Sequence, residues 1–356
     1  MQVKACLQDK RLISMILIIA LYFLLPVNVV RRAARQEYVN SSDFQMNEIT
    51  VSDCDITFNL EICHCNRTVR ARLPHGCPER FPDVEEVLRT VKAAYGETIC
   101  GDWATLRGPN QKVASFSVYG PFLSKYYLGI EYLLPRLLKL YPGWNMRLYH
   151  RMNLSDPKVN EWVCGLACQY PHFDLCDAEN LHILGNVTNS TGRAWRFGPL
   201  GDKFVDRFII RDTDSPILQR EVDAVQEWIT EGTCFHVMRD NPQHGVPIMG
   251  GMWGGCNNWR RAEVLGITKS IFRKAKSVRS DQEEVSRHLY YLVEENGTIH
   301  DSYTCGSFHG SKPFPTQRFG DNFVGQTSPV TFFPKHRLMP CPEKCRPKNH
   351  PDWLYC

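Results

Sequence analysis

The chain has 356 residues, 43% of them hydrophobic and 22% charged, with a formal net charge of +4 at pH 7. That hydrophobic content supports a packed core and excludes a disordered chain. A small net charge without a dense basic block gives no electrostatic footprint for nucleic acid, so no nucleic-acid partner is expected.

Leu12–Val30 is a run of 19 residues without a charge, long enough to span a bilayer core. Lys4, Lys10 and Arg11 precede it and Arg31, Arg32 and Arg35 follow, so flanking charge does not set its orientation. A cleaved signal peptide is the competing reading, but no small-x-small site sits cleanly before Arg31. Fourteen of the 15 cysteines, all but Cys6, come after this run. So do six N-x-S/T sequons, at Asn40, Asn66, Asn153, Asn186, Asn189 and Asn296. Disulfides and glycans both belong to the secretory lumen. The expected arrangement is a cytoplasmic tail over 1–11, a transmembrane signal anchor over 12–30 and a lumenal remainder. That describes a single-pass type II protein of the Golgi membrane, with the ER or cell surface as alternatives.

Residues 31–110 read as a stem and a small cysteine-rich unit, with Cys54, Cys63, Cys65, Cys77 and Cys100 as disulfides bracing a segment that has little core. From Lys112 the pattern changes. Residues 113–120 read as a strand, 126–140 as a helix kinked or divided at Pro135, and 145–149 as a second strand, which together make a parallel βαβ unit. Residues 153–192, with Cys164, Cys168, Cys176 and three sequons, suit a glycosylated surface excursion. Residues 204–210 have the apolar, β-branched content of a buried strand. Asp212-Thr213-Asp214 ends it, Ser215-Pro216 offers an N-cap and a first-turn proline, and Leu218, Val222, Val225 and Ile229 share a helix face up to Gly232. The piece 234–242 reads as another short strand. After it, the glycine-dense 244–255 lets backbone approach something closely. A helix begins at Asp281-Gln282 and runs through Val285, His288, Leu289 and Leu292. Residues 299–303 and 309–315 form a polar closing segment, and Cys341, Cys345 and Cys356 mark a disulfide-tied tail over 336–356.

Two carboxylates one residue apart at the end of a strand can grip a hard divalent cation, and ligands gather at the carboxyl ends of strands in open α/β sheets. The plainer reading is an acidic turn ahead of a helix. His236, Asp240 and His244 stand four apart, but Asn241-Pro242 removes the helix that would align them as zinc ligands. G-x-S-x-G, Walker A and G-x-G-x-x-G motifs are missing. A hydrolase using Asp212 and Asp214 as its acid pair is disfavoured, because such pairs flank a glycosidic bond at roughly 5–9 Å.

The order of βαβ opening, Asp212-Thr213-Asp214, Asp281-Gln282, His300 and Gly310-Ser311-Lys312-Pro313-Phe314 resembles a glycosyltransferase of the GT-A type. It is most similar to the retaining group of glycogenin and the bacterial lipopolysaccharide galactosyltransferases, over roughly residues 112–325. The stretches 235–240 and 250–254 are similar to a type II membrane glycosyltransferase-like branch. The resemblance implies an α/β, Rossmann-like mixed sheet in a domain spanning 111–335. It also implies transfer of a hexose from a nucleotide sugar, UDP-linked, to a glycan, glycoprotein or glycolipid acceptor with retention of configuration. By the same resemblance, Asp212, Asp214 and His300 would hold Mn²⁺ or Mg²⁺, with His309 the second choice because the H-x-x-G-x-x-K-P-W spacing is altered and Phe314 replaces tryptophan. Asp281 would bond sugar hydroxyls and Gln282 would sit near the anomeric carbon. Lys312 would meet the diphosphate, Phe116, Ser117 and Tyr119 the nucleobase, and Arg211, Asp240, Gly250, Gly251 and Trp253 the rest of the donor. The alternative is a glycan-binding or scaffold protein of the same fold that no longer turns over.

Overall fold

The computed structural model describes residues 50–79, 83–277, 280–327 and 339–356. Leu12–Val30 and Asn40 lie outside them, and among the described residues no helix is long and apolar enough to cross a membrane. The first described element is an antiparallel hairpin of β1 (Val51–Leu60) and β2 (Cys65–Pro74). Its strict alternation buries Cys54, Ile56 and Phe58 from one strand and Val69, Ala71 and Leu73 from the other. The outer face carries the cross-strand pairs Asp53–Arg72 and Asp55–Arg70. Helix α1 (Val84–Tyr95), capped by Asp83 accepting from the Glu86 amide, covers the inner face with Val87 and Val91. A short α2 (Asp102–Leu106) leads into the main sheet.

That sheet is built from β3 (Gln111–Val118), β4 (Trp144–His150), β5 (Phe173–Asp177), β6 (Val205–Arg211), β7 (Phe235–Arg239), β8 (Met252–Cys256), β9 (Gly297–Asp301) and β10 (Ser311–Lys312). Their order across it is β10-β9-β7-β8-β6-β3-β4-β5, with β8 running against the other seven. From β3 the chain steps outward to β4 and β5, then returns to lay β6 on the other side of β3. Strand order therefore reverses between β3 and β6, where an open α/β sheet leaves a crevice beyond its carboxyl ends. Helices α3 (Lys125–Leu140), α4 (Pro157–Gln169), α5 (Gln219–Glu231), α6 (Arg261–Lys274) and α7 (Ser280–Glu295) complete the layers. Phe116, Val118 and Ile209 pack with α3 and α5 in one core, while Val113, Phe208, Ile210 and Trp253 pack with α6 and α7 in the other.

Several expectations are corrected. Pro135 does not divide α3, which runs as one element from Lys125 to Leu140 with the proline on its exposed side. The supposed excursion at 153–192 supplies α4 and β5, an integral edge of the sheet. Ser215-Pro216 does not open α5, which begins at Gln219 without a side-chain cap, and Ser215 Oγ instead donates to the Gly325 carbonyl at 3.3 Å. The polar closing segment contains β9, a strand buried between β7 and β10.

All 14 cysteines after Cys6 are paired, as 54–77, 63–164, 65–168, 100–176, 234–256, 305–345 and 341–356. Only the first bond is internal to the expected cysteine-rich unit. Cys63, Cys65 and Cys100 tie it to α4 and β5, so no break appears at residue 110, and Thr50–Cys356 forms one compact unit. Asn66, Asn153, Asn186 and Asn189 are exposed. Asn296 is half-buried, with its side-chain oxygen accepting from the Cys234 amide at 3.1 Å.

Candidate functional site

A cleft of about 470 Å³ opens at the strand-order reversal. Ser117 and Tyr119 at the end of β3 form one wall, and Asp212, Thr213 and Asp214 after β6 form the floor. Gly250, Gly251 and Met252 enter at the start of β8, whose antiparallel course brings that end to the end of β6. Asp281 and Gln282 come from the first turn of α7.

The glycines at 250 and 251 have a definite reason to be there. A Cβ on Gly251 would lie 1.9 Å from Asp212 Oδ2, and one on Gly250 would lie 3.1 Å from both Arg196 Nη2 and Asp281 Oδ2. The close approach expected of this segment is thus to the acidic side chains themselves. Gly250 also donates its amide to Gln282 Oε1 at 3.2 Å, joining the β8 entry to α7. On the far side of the turn, a Cβ on Gly129 of α3 would lie 1.9 Å from the Thr213 carbonyl oxygen. The acidic turn is clamped between a bare patch of helix and a bare stretch of strand.

Arg196, buried on the segment ahead of β6, donates to Asp212 Oδ1 with one nitrogen and to Asp281 Oδ2 at 3.3 Å with the other. Burial works to raise the Asp212 carboxyl, but the Arg196 guanidinium outweighs it and holds the group below its ordinary value. At Asp281 burial wins over the same guanidinium and the carboxyl is pushed up. Asp214 Oδ2 accepts from Lys125 Nζ at 3.0 Å. Both carboxylates of the acidic triplet therefore face positive charge already. Their donor set is hard oxygen, which suits Mg²⁺ or Mn²⁺ held by one or two carboxylates with water and phosphate oxygens. Among the described residues no three His, Cys, Asp or Glu side chains converge as a metal-binding group.

His300 is not brought to this cleft. It lies fully buried on β9, with Nδ1 paired to His236 Nε2 at 2.8 Å and Nε2 to Glu227 Oε2 at 2.9 Å. His309 is exposed and does not line the cleft. Lys312 is taken by Glu227 and Glu231, one turn apart on α5, and does not reach the cleft either. Phe116 points into the core opposite its neighbour Ser117, as strand alternation requires. Arg211 is buried against Glu221 at 2.8 Å, and Trp253 packs edge-on to Phe197 and Phe208 in the core. Asp240 is fully buried, its two oxygens accepting from Arg220, Arg318, Ser302 and the Val324 amide. Of the expected residues, then, Ser117, Tyr119, Asp212, Asp214, Gly250, Gly251, Asp281 and Gln282 share the cleft. Arg193, Arg196, Tyr126, His244 and Met249 line it without having been expected. An isolated glycine inside the α3 pattern was a readable sign of close packing against the turn. Arg196 carried no such sign, because its partners lie 16 and 85 residues away.

No family model matches the chain, and no curated protein does. Among solved structures, a protein of Desulfovibrio desulfuricans G20 provisionally assigned as a nucleotide-diphospho-sugar transferase is similar at 13% identity. The match covers 50% of this chain and 77% of that one with a TM-score of 0.29, a likeness too weak to carry any inference.

Proposed function

We propose that the cleft is the donor site of a glycosyltransferase that takes a hexose from a nucleotide sugar, a UDP-hexose, and transfers it to a glycan, glycoprotein or glycolipid. The observation that carries this reading is the meeting of Asp212, Asp214, Asp281 and Gln282 with two bare glycines at the point where strand order reverses. Asp212 and Asp214 would hold Mn²⁺ or Mg²⁺, which supplies charge neutralisation for a departing diphosphate. Ser117 and Tyr119 flank the nucleobase end. Gln282, fixed by the Gly250 amide, presents its side-chain NH₂ to the sugar, and Arg196 holds Asp212 and Asp281 at a set spacing. We read the transfer as retaining from the Asp281-Gln282 resemblance alone, and a retaining course would need no strong base beneath the sugar. Seven disulfides and four exposed sequons support a lumenal setting, for which a type II Golgi membrane protein is our reading.

The pairing of both triplet carboxylates with Lys125 and Arg196 favours one second reading, a donor-binding protein of this fold that takes no metal and does not turn over. Calorimetry of the full-length protein with UDP, with and without Mn²⁺, separates the two. The transferase reading expects binding that depends on Mn²⁺ and is lost in Asp214→Asn. Equal binding in both conditions supports the second reading, and no binding in either removes both.

A further inference from the structure

We infer that His244 recognises the sugar of the bound donor by donating a hydrogen bond from Nε2 of a neutral ring; this rests on the donor-site reading above. The tight turn after β7, in which the His244 amide donates to the Asn241 carbonyl at 2.9 Å, folds the side chain back over the strand end. There its Nδ1 accepts the Asp240 amide proton at 3.0 Å. A nitrogen that accepts from a backbone N–H carries no proton of its own, so in the neutral ring the proton sits on Nε2. Burial pushes the imidazole down to about 4, against the opposing pull of Asp240, so the ring stays neutral at physiological pH. Phe323, edge-on with its ring centre 5.8 Å away, holds the ring plane. His244 lines the cleft, and Nε2 has no hydrogen-bond partner among the described residues.

Nε2 is not among the fully enclosed polar atoms that lack a partner, so it is open to the cleft, where an entering oxygen can take its proton. The ligand group must be an oxygen acceptor, because Nε2–H can only donate. The sugar is the part of the donor nearest in the architecture. His244 lies on the β7–β8 connection that also carries Gly250, whose amide fixes Gln282 beside Asp281. Asp240 cannot serve the sugar, since its carboxylate oxygens are spent on two arginines, a serine and an amide. Its backbone sets the tautomer of a neighbour instead.

The test uses full-length protein with Mg²⁺ and three probes: UDP, UDP-glucose and UDP-galactose. His244→Asn keeps an acceptor near the Nδ1 position for the Asp240 amide but removes the Nε2 donor. Its affinity for UDP should stay within twofold of wild type, while affinity for at least one sugar nucleotide falls about three- to tenfold, as expected for losing one neutral hydrogen bond. His244→Gln reverses the trade, reaching Nε2 with an amide donor while abandoning Asp240, and should bind the sugar nucleotide closer to wild type with a lower Tm. Nitrogen-15 histidine spectra of wild type should show a neutral ring protonated at Nε2 from pH 5.5 to 8. A proton on Nδ1, an unchanged sugar-nucleotide affinity in His244→Asn, or an equal loss for UDP would each overturn the assignment. Failure of wild type to bind any of the three probes would overturn the donor-site reading itself, which the spectra alone cannot do.

Discussion

At the scale of single residues, the tightest constraint in the cleft is the missing side chain at 251. Gly251→Ala would place a methyl group 1.9 Å from Asp212 Oδ2, and the carboxylate must move because the other side of the turn is filled by α3. Gly251 is not in the left-handed region, so the backbone tolerates alanine and the strain falls on the acidic side chain. On the proposed donor-site reading, we expect Gly251→Ala to fold with little change in Tm, while Mn²⁺-dependent UDP affinity drops about tenfold or more, as misplacement of a positioned group by an ångström does. Calorimetry and thermal unfolding of the same preparation check both halves. The residues that could be read in advance are those in short local patterns. Asp212 and Asp214 end a strand, Asp281 and Gln282 open a helix, and the paired glycines stand out within one stretch. Residues inside strands could not be assigned to a face: Phe116 and Ser117 are neighbours, yet only Ser117 meets the cleft. His300 and Lys312 misled for another reason, since α5 presents Glu227 and Glu231 to them and no local pattern discloses a partner more than 70 residues away.

At the scale of elements, α3 is coupled to the acidic turn through Gly129. In an ordinary exposed helix, glycine to alanine stabilises by up to about 1 kcal/mol. Here the new Cβ would lie 1.9 Å from the Thr213 carbonyl oxygen, a backbone atom that cannot swing aside. Overpacking of this kind costs about 1–3 kcal/mol and outweighs the propensity gain. Gly129→Ala should therefore lower Tm by several degrees and, on the proposed donor-site reading, weaken Mn²⁺-dependent UDP binding, although residue 129 does not line the cleft. An unchanged Tm would mean that α3 is free to shift away from the turn. The periodicities of β3, α3, β4, β6 and α7 were legible because each is long or flanked by clear stops. β5 and β9 were not, being five-residue strands among polar and cysteine residues. Sheet order, with β8 reversed between β6 and β7, depends on pairings that no local pattern encodes.

At the scale of the whole molecule, several histidines are buried and kept neutral. Burial lowers His150 and His244 to about 4, lowers His172 and His300, and drives His236 well below its ordinary value. The unfolded chain takes up protons on these rings near pH 6.5 and the folded chain does not, so their contribution is complete above that pH. For His150 and His244 it declines as pH falls from about 6.5 toward 4, by up to about 1.4 kcal/mol per pH unit for each ring, and the others decline in the same direction. Tm should fall steadily between pH 7 and 4.5. The slope should flatten in His150→Asn, which can still accept the Met152 amide proton that His150 Nδ1 accepts at 3.1 Å. An equal slope in that variant would assign the acid sensitivity elsewhere. The disulfides linking the hairpin to α4 also bear on how the molecule is made. Cys63 and Cys65 must wait for partners 101 and 103 residues later, an interval of about 5–20 s at ordinary rates of synthesis. During that time two thiols two positions apart have no correct partner, and when Cys164 and Cys168 emerge on successive turns of one helix, two pairings are open. The crossed pairing closes loops of nearly the same length, so chain entropy cannot discriminate against it. Selection must come from hairpin packing, with thiol exchange continuing until it is complete. Correct folding of this protein should therefore depend on disulfide isomerase activity more than on oxidising power alone.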